Sequence, residues 1–373
     1  MDSKDISRTW FFSRFHLSES GGGGTRRERQ IAQSLMPLNY RFISSLKTKY
    51  TPISFWRKIR RFNRKHAFWR EDLRRYVDRL WVFSEKWSRK IPEWLELAIM
   101  DDPLFFPPLA KKIKKMQIPL VVSCQNIESL SLAQINPRYQ NKLFQIEIDL
   151  LSMADLIITI SREETYFLNN LDLPAYYFPY YPVESIKNRL LQNRESRNGT
   201  RKSGILLMGT VNNKVTLDGI MEMVDFWKNS GRIPNTERLI VAGFGTERIK
   251  DLCRHDAIEF LGPVSNEKLD ALLSTVKACL CYQRSGAGVL TKICEMLIAG
   301  IPVLANFQSA RSYYHTDGLI EFNDLIELPE ALSRIDRWEG NIPVNEGPDP
   351  DRLLSAVREV MARRDISGTG PAK

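Results

Sequence analysis

SGAGVLTKICEMLIAGIPVLA, residues Ser285–Ala305, decides how the chain folds. Just before it runs KACLCY (Lys277–Tyr282), a short apolar stretch, and its own end leads into PVLAN (Pro302–Asn306). Between them Ser-Gly-Ala-Gly turns the chain, and Leu290–Ala299 carries apolar side chains at helical spacing until Gly300 stops the helix. Strand, turn, helix, turn and strand within about thirty residues make a βαβ unit, which commits its two strands to one parallel sheet. The same unit carries chemistry. Gly286 and Gly288 let a ligand approach the backbone, and open amides at the helix start suit a diphosphate. Lys292 adds a mobile cation for that anion. Glu295, three residues on, shares Lys292's helix face and can accept hydrogen bonds from a vicinal diol such as a ribose. A bare glycine-rich turn often only joins strand to helix. The Lys, the Glu, the Ala-Gly-Ile-Pro-Val ending and the carboxyl edge of a parallel sheet favour a binding site.

Working outward, GILLMGT (Gly204–Thr210), RLIVAG (Arg238–Gly243) and AIEFLG (Ala257–Gly262) predict further strands. Helices are expected at Leu217–Asn229, Asn266–Thr275 and Asp351–Arg363. In the first half, strands at Thr9–Phe15, Tyr40–Ser45, Leu97–Met100, Pro119–Ser123 and Leu156–Ile160 alternate with helices at Thr25–Leu35, within Trp56–Trp87 and at Pro137–Ala154. Pro179–Ser203, which includes NRESRNGTRKSG, is turn-rich and polar and reads as an exposed linker. The fold class is therefore α/β with two Rossmann-like domains. The expected order is domain 1–180, linker 181–203, domain 204–345, and a C-terminal helix and tail 346–373. A chain of 373 residues is long enough for two such cores.

Charge is unevenly spread. The net is +10, yet Lys47–Lys90 holds 15 Lys/Arg against 4 Asp/Glu, so one segment carries the whole excess. Its basic aromatic part, 53–90, interleaves Trp56, Phe62, Phe68, Trp69, Tyr76 and Trp81 with cations. Such a segment can lie on an anionic membrane surface or cover its domain with a solvated basic face; nucleic acid is the unlikely partner. No apolar run reaches the ~18 residues of a spanning helix, and MDSKDISRTWFFSRF lacks the apolar region of a signal peptide. Five cysteines without a CxxC pair and four scattered histidines show no metal-ligand spacing. They fit reduced thiols in a cytoplasmic protein, which the basic segment would make peripheral at the inner membrane face.

Ser285–Ala305 resembles the donor motif of the retaining glycosyltransferases of the GT-B fold, glycosyl transferases group 1, close to family four. MADLIITISREE (Met153–Glu164), GILLMGTVNNKVTLDGIMEMVDFW (Gly204–Trp227), LIVAGFGTERI (Leu239–Ile249), EFLGPVSNEKLDALL (Glu259–Leu273) and QNIES (Gln125–Ser129) are similar to other parts of that pattern. The resemblance implies two Rossmann-like domains facing a cleft, the N-terminal one for the acceptor and the C-terminal one for the donor. Glu295 would hold the nucleotide's ribose. Lys292, the amides at Gly286, Ala287 and Gly288, and Lys214 would hold the diphosphate. Gly243 and Gly245 would floor the base site. The loop SGGGGT (Ser20–Thr25), with Gly22 and Gly23, would approach the transferred sugar, although four consecutive glycines can also be a flexible joint. Gln125 and Lys292 occupy the positions expected to act in catalysis.

The implied activity moves a hexose from a nucleotide diphosphate sugar to a glycan or lipid-linked acceptor with retention, as in polysaccharide biosynthesis. It needs no cofactor beyond that co-substrate, and no obligatory metal is expected. Two positions depart from the pattern. Ala287 stands where relatives often carry a sugar-contacting acid, and Gln125 where they often carry His. An amide can donate a hydrogen bond but cannot serve as a general base. Two alternatives are a catalytically impaired sugar-nucleotide-binding or membrane-docking protein and a nucleotide-sugar epimerase on the same fold. The shortage of histidines counts against the epimerase.

Overall fold

The structure is a computed structural model and describes residues 7–17, 21–45, 71–135, 140–253, 255–338 and 340–367. Strands β1 (Thr9–Ser13), β2 (Arg41–Ser44), β3 (Leu97–Met100), β4 (Leu120–Ser123), β5 (Leu156–Thr159) and β6 (Ala175–Tyr177) form one sheet in the order β2-β1-β3-β4-β5-β6. Strands β7 (Ile205–Met208), β8 (Leu239–Ala242), β9 (Ile258–Gly262), β10 (Ala278–Cys281), β11 (Val303–Asn306) and β12 (Leu319–Phe322) form a second, β12-β11-β10-β7-β8-β9. Every pairing in both sheets is parallel.

Continuous apolar runs such as LAIM, LVVS, ILLM and ACLC are what a parallel sheet covered on both faces requires. Successive residues accordingly enter different cores. In the first sheet Trp10, Phe12, Ala98, Met100 and Val122 face one core, while Phe11, Leu97, Ile99 and Val121 face the other. In the second sheet Ile205, Leu207 and Leu280 take one side, and Leu206, Cys279 and Cys281 the other. The two-residue spacing of Cys279 and Cys281 thus puts both thiols on one strand face, buried and unbridged.

The chain divides into two compact units. Unit 1 holds the residues up to Pro179 and those from Pro348 on; unit 2 is Tyr180–Gly347. One sequence expectation needs correction. The stretch 181–203, read as an exposed linker, instead carries the helix Glu184–Ser196 and belongs to unit 2. Its polar appearance misleads, since two of its cations serve as caps. Arg194 donates to the carbonyls of Leu297, Ile298 and Ile342 at 2.7–2.8 Å. Arg197 donates to Leu273, Val276 and Gly300, and so satisfies carbonyls left open at helix C-termini. Burial, and then the neighbouring Arg194, lowers Arg197 to about 10. The segment 346–373 is expected to hold a C-terminal helix and tail. Its helix Pro350–Ser367 is part of unit 1, where Leu353, Val357 and Val360 pack with Phe11, Ile31 and Val121.

Edge strands β6 and β12 were not expected from the sequence, because partial exposure breaks their apolar pattern. The basic aromatic segment 53–90 lies outside the described residues as far as position 70. From 71 it enters the helix Glu71–Ser88. Among the described residues no helix is long and apolar enough to cross a membrane.

Candidate functional site

In unit 2 the chain builds β7-β8-β9 to one side and β10-β11-β12 to the other, so the sheet reverses between β7 and β10. Loops leaving the carboxyl ends at such a reversal splay apart, which opens a crevice for ligands. After β10, the loop before the helix Thr291–Ile298 is held by its neighbours. Asn306, buried at the end of β11, accepts from the Gln283 amide at 3.1 Å and donates to the Gln283 carbonyl at 2.7 Å. Arg311 donates from Nε to the Gly288 carbonyl at 3.2 Å. A Cβ on Gly286 would come within 2.9 Å of Gln283 Oε1 and 3.0 Å of Arg311 Nη2, so glycine keeps this loop close to both side chains.

Lys292 reaches from that helix across the reversal and donates from Nζ to the Met208 carbonyl at the end of β7, 2.5 Å away. Glu295 on the same helix is 3% exposed, and its Oε1 accepts the Tyr180 hydroxyl at 2.6 Å. After β8, Gly243 packs against the turn after β7. Its φ is +134°, and a Cβ there would fall 1.9 Å from the Gly209 carbonyl oxygen, so no other residue fits. Beside it Phe244 is half-exposed, with the Arg248 guanidinium 5.4 Å from its ring centre.

Unit 1 has its own reversal, between β1 and β3. Gly22 caps the helix Gly23–Ser34, and the Gln125 amide donates to the Gly24 carbonyl at 3.0 Å. The QNIES backbone is pinned by two acids from other helices. Ile127 donates to Glu164, and Glu128 and Ser129 donate to the two oxygens of Glu147, all at 2.8–2.9 Å. Arg14, directly after β1, donates through its amide to Asp101 at 3.0 Å and through Nη2 to Glu128 at 2.6 Å. Its guanidinium also lies 4.2 Å from the Phe105 ring centre. Glu28, Asp101 and Asp102 are fully buried around this arginine. Burial, and then the charge of Asp101, push Glu28 up to about 8. Burial also raises Asp101 to about 6. Among the described residues no group of three or more His, Cys, Asp or Glu is placed to hold a metal ion. The string Asp349-Pro350-Asp351 has the Asp-x-Asp form of some metal sites, but Asp349 accepts from the Asp351 amide at 2.9 Å at the start of a helix.

Comparison with solved structures matches nearly the whole chain. Trehalose 6-phosphate synthase from Burkholderia multivorans gives a TM-score of 0.62 at 11% identity, covering 98% of this chain and 99% of that one. HepE from Anabaena in complex with UDP gives 0.62 at 12% identity, covering 95% and 99%. Sucrose-phosphate synthase from Thermosynechococcus elongatus gives 0.54 at 14%, covering 96% and 94%. The fold is GT-B. No protein-family model matches the sequence, and no curated protein matches it.

Within this GT-B chain, the expected donor residues of unit 2 converge on the carboxyl ends of β7, β8 and β10. Gly286, Ala287 and Gly288 form the loop, Lys292 bridges to β7, Glu295 sits one turn further on, and Gly243 and Gly245 follow β8. Lys214 follows β7 on the same edge of the sheet. It opens the helix after β7 and makes an exposed i,i+4 ion pair with Asp218 at 2.6 Å. In unit 1, Gln125 is bonded to Gly24, in the first turn of the helix that Gly22 caps and Gly23 opens. The sequence reading missed Tyr180, Asn306, Arg311 and the Arg14 cluster. Asn306 left a signal, as a polar residue ending an apolar strand at the binding edge.

Proposed function

We propose that this chain is a nucleotide-sugar-dependent glycosyltransferase that moves a hexose, with retention, to a glycan or lipid-linked acceptor. The observation that carries the proposal is the convergence at the unit 2 reversal. A braced glycine loop, the Lys292 ammonium and the buried Glu295 carboxylate supply what a nucleoside diphosphate needs in one crevice. Glu295 receives the ribose hydroxyls, and Lys292 with the loop amides receives the diphosphate. The exposed ring of Phe244 offers the base a stacking face. In transfer, the bond from the sugar C1 to the diphosphate breaks, the acceptor oxygen bonds to C1, and the acceptor's proton passes to the departing diphosphate. Negative charge grows on the leaving group, and fixed cations and amides aimed at it lower the barrier. UDP and UDP-glucose, found with HepE, are the first ligands to try. The acceptor domain is assigned to unit 1, and the basic segment 53–90 to an anionic membrane surface at the inner membrane face of the cytoplasm.

One observation favours a second reading, binding without transfer: the Gln125 amide is engaged by Gly24, and Ala287 brings no acid to the sugar. Incubation with UDP-, GDP- and ADP-sugars separates the two. Transfer predicts a raised melting temperature with one donor and release of its nucleoside diphosphate. Stabilisation without release supports the second reading. No stabilisation and no release by any donor contradicts both.

A further inference from the structure

We infer that Tyr180 is a positioning residue for nucleotide recognition, holding Glu295 in the orientation that meets the ribose. This rests on the proposed donor site and assigns that site a residue from outside its loops. Glu295 is a long side chain with three rotatable bonds, and it sits almost wholly out of water. A buried carboxylate adopts one orientation only if something fixes it, and leaving one of its oxygens without a partner is costly. The Tyr180 hydroxyl lies 2.6 Å from Oε1, within the range of a strong charge-assisted hydrogen bond. Tyr180 is itself 3% exposed, so its ring has little room to move. It stands 115 residues from Glu295 in the chain and opens unit 2, just ahead of the helix Glu184–Ser196. Arg194 of that helix donates to the carbonyls of Leu297 and Ile298, at the end of the helix that bears Glu295. One continuous segment therefore braces the Glu295 helix at its C-terminal carbonyls and the Glu295 side chain at its tip. The tyrosine donates as a ribose hydroxyl would, so the carboxylate is oriented before the nucleotide arrives.

The test is Tyr180→Phe, which keeps the ring and removes the donor. Wild type, Tyr180→Phe, Glu295→Ala and the double variant are titrated by calorimetry with UDP, GDP and ADP. The tightest of these is then compared with its 2′,3′-dideoxy form and with inorganic pyrophosphate, which reports the phosphate site alone. Tyr180→Phe is expected to weaken the ribonucleotide roughly fivefold to tenfold while pyrophosphate binding stays unchanged. The preference for the ribonucleotide over its dideoxy form should shrink. Adding Tyr180→Phe to Glu295→Ala should cost nothing further. A fall in pyrophosphate binding equal to that in nucleotide binding would mean a general structural loss and overturn the inference. So would Tyr180→Phe with wild-type ribose preference while Glu295→Ala has lost it. If Glu295→Ala keeps the preference, the donor-site reading itself fails and Tyr180's role with it.

Discussion

Lys292→Ala is expected to lower kcat/KM for the nucleotide sugar by about 10² to 10³, the usual cost of removing one preorganised charge from a leaving-group site. The ammonium has three donors, and one is engaged by the Met208 carbonyl at the end of β7. That bond parks the cation at the sheet reversal and leaves two donors for phosphate oxygens. The loss should fall mainly on kcat, because the charge on the diphosphate is largest as the sugar departs. Lys292→Arg should recover only part of it, since a planar guanidinium cannot keep the same bond to Met208 and the same reach. Steady-state kinetics with the donor that is turned over decides this. A change of less than threefold in kcat would place the leaving group elsewhere.

The second large effect concerns unit 1. Glu28→Gln is expected to flatten the fall of stability with rising pH. The folded carboxyl is raised to about 8 from an ordinary 4.5, by burial first and by Asp101 second. Below pH 4.5 both folded and unfolded chains hold the proton, and the full stability is present. Above it the unfolded chain ionises freely while the folded chain keeps its proton, so stability drains away until the folded group itself ionises near pH 8. The loss is on the order of 5 kcal/mol. Asp101, raised to about 6, and Glu147, raised to about 7, act in the same direction. Asp102, Glu128, Arg14 and Arg27 are the other charged groups of this cluster. Urea titrations at pH 5, 7 and 9 should show the variant close to wild type at pH 5 and clearly more stable at pH 9. Parallel profiles would show that Glu28 ionises normally in the fold.

Most of the architecture was legible because parallel strands must be apolar on both faces, and short runs such as ILLM and LVVS, bounded by turn residues, fit that requirement. The unit 2 loop was legible for a related reason: Gly286, Gly288, Lys292 and Glu295 are close in sequence, so their spacing on one turn and one helix fixes their geometry. What escaped notice depends on distant partners. Tyr180 meets Glu295 across 115 residues, and Arg14 meets Asp101 across 87. Neither pairing leaves a local trace. Arg194 and Arg197 looked like solvated charges, yet they serve as caps for carbonyls about a hundred residues further on. Lys214 shows the opposite case. Its role at the diphosphate comes from resemblance, while the helix spacing to Asp218, visible in the sequence, accounts for the ion pair it makes.

The most direct test of the donor site is calorimetric titration of UDP, GDP and ADP into wild-type and Glu295→Ala protein. One nucleoside diphosphate should bind wild type and bind the variant at least about tenfold more weakly, while inorganic pyrophosphate binds both alike. Equal nucleotide affinity in the two proteins would contradict the assignment of Glu295 to the ribose and of this crevice to the donor.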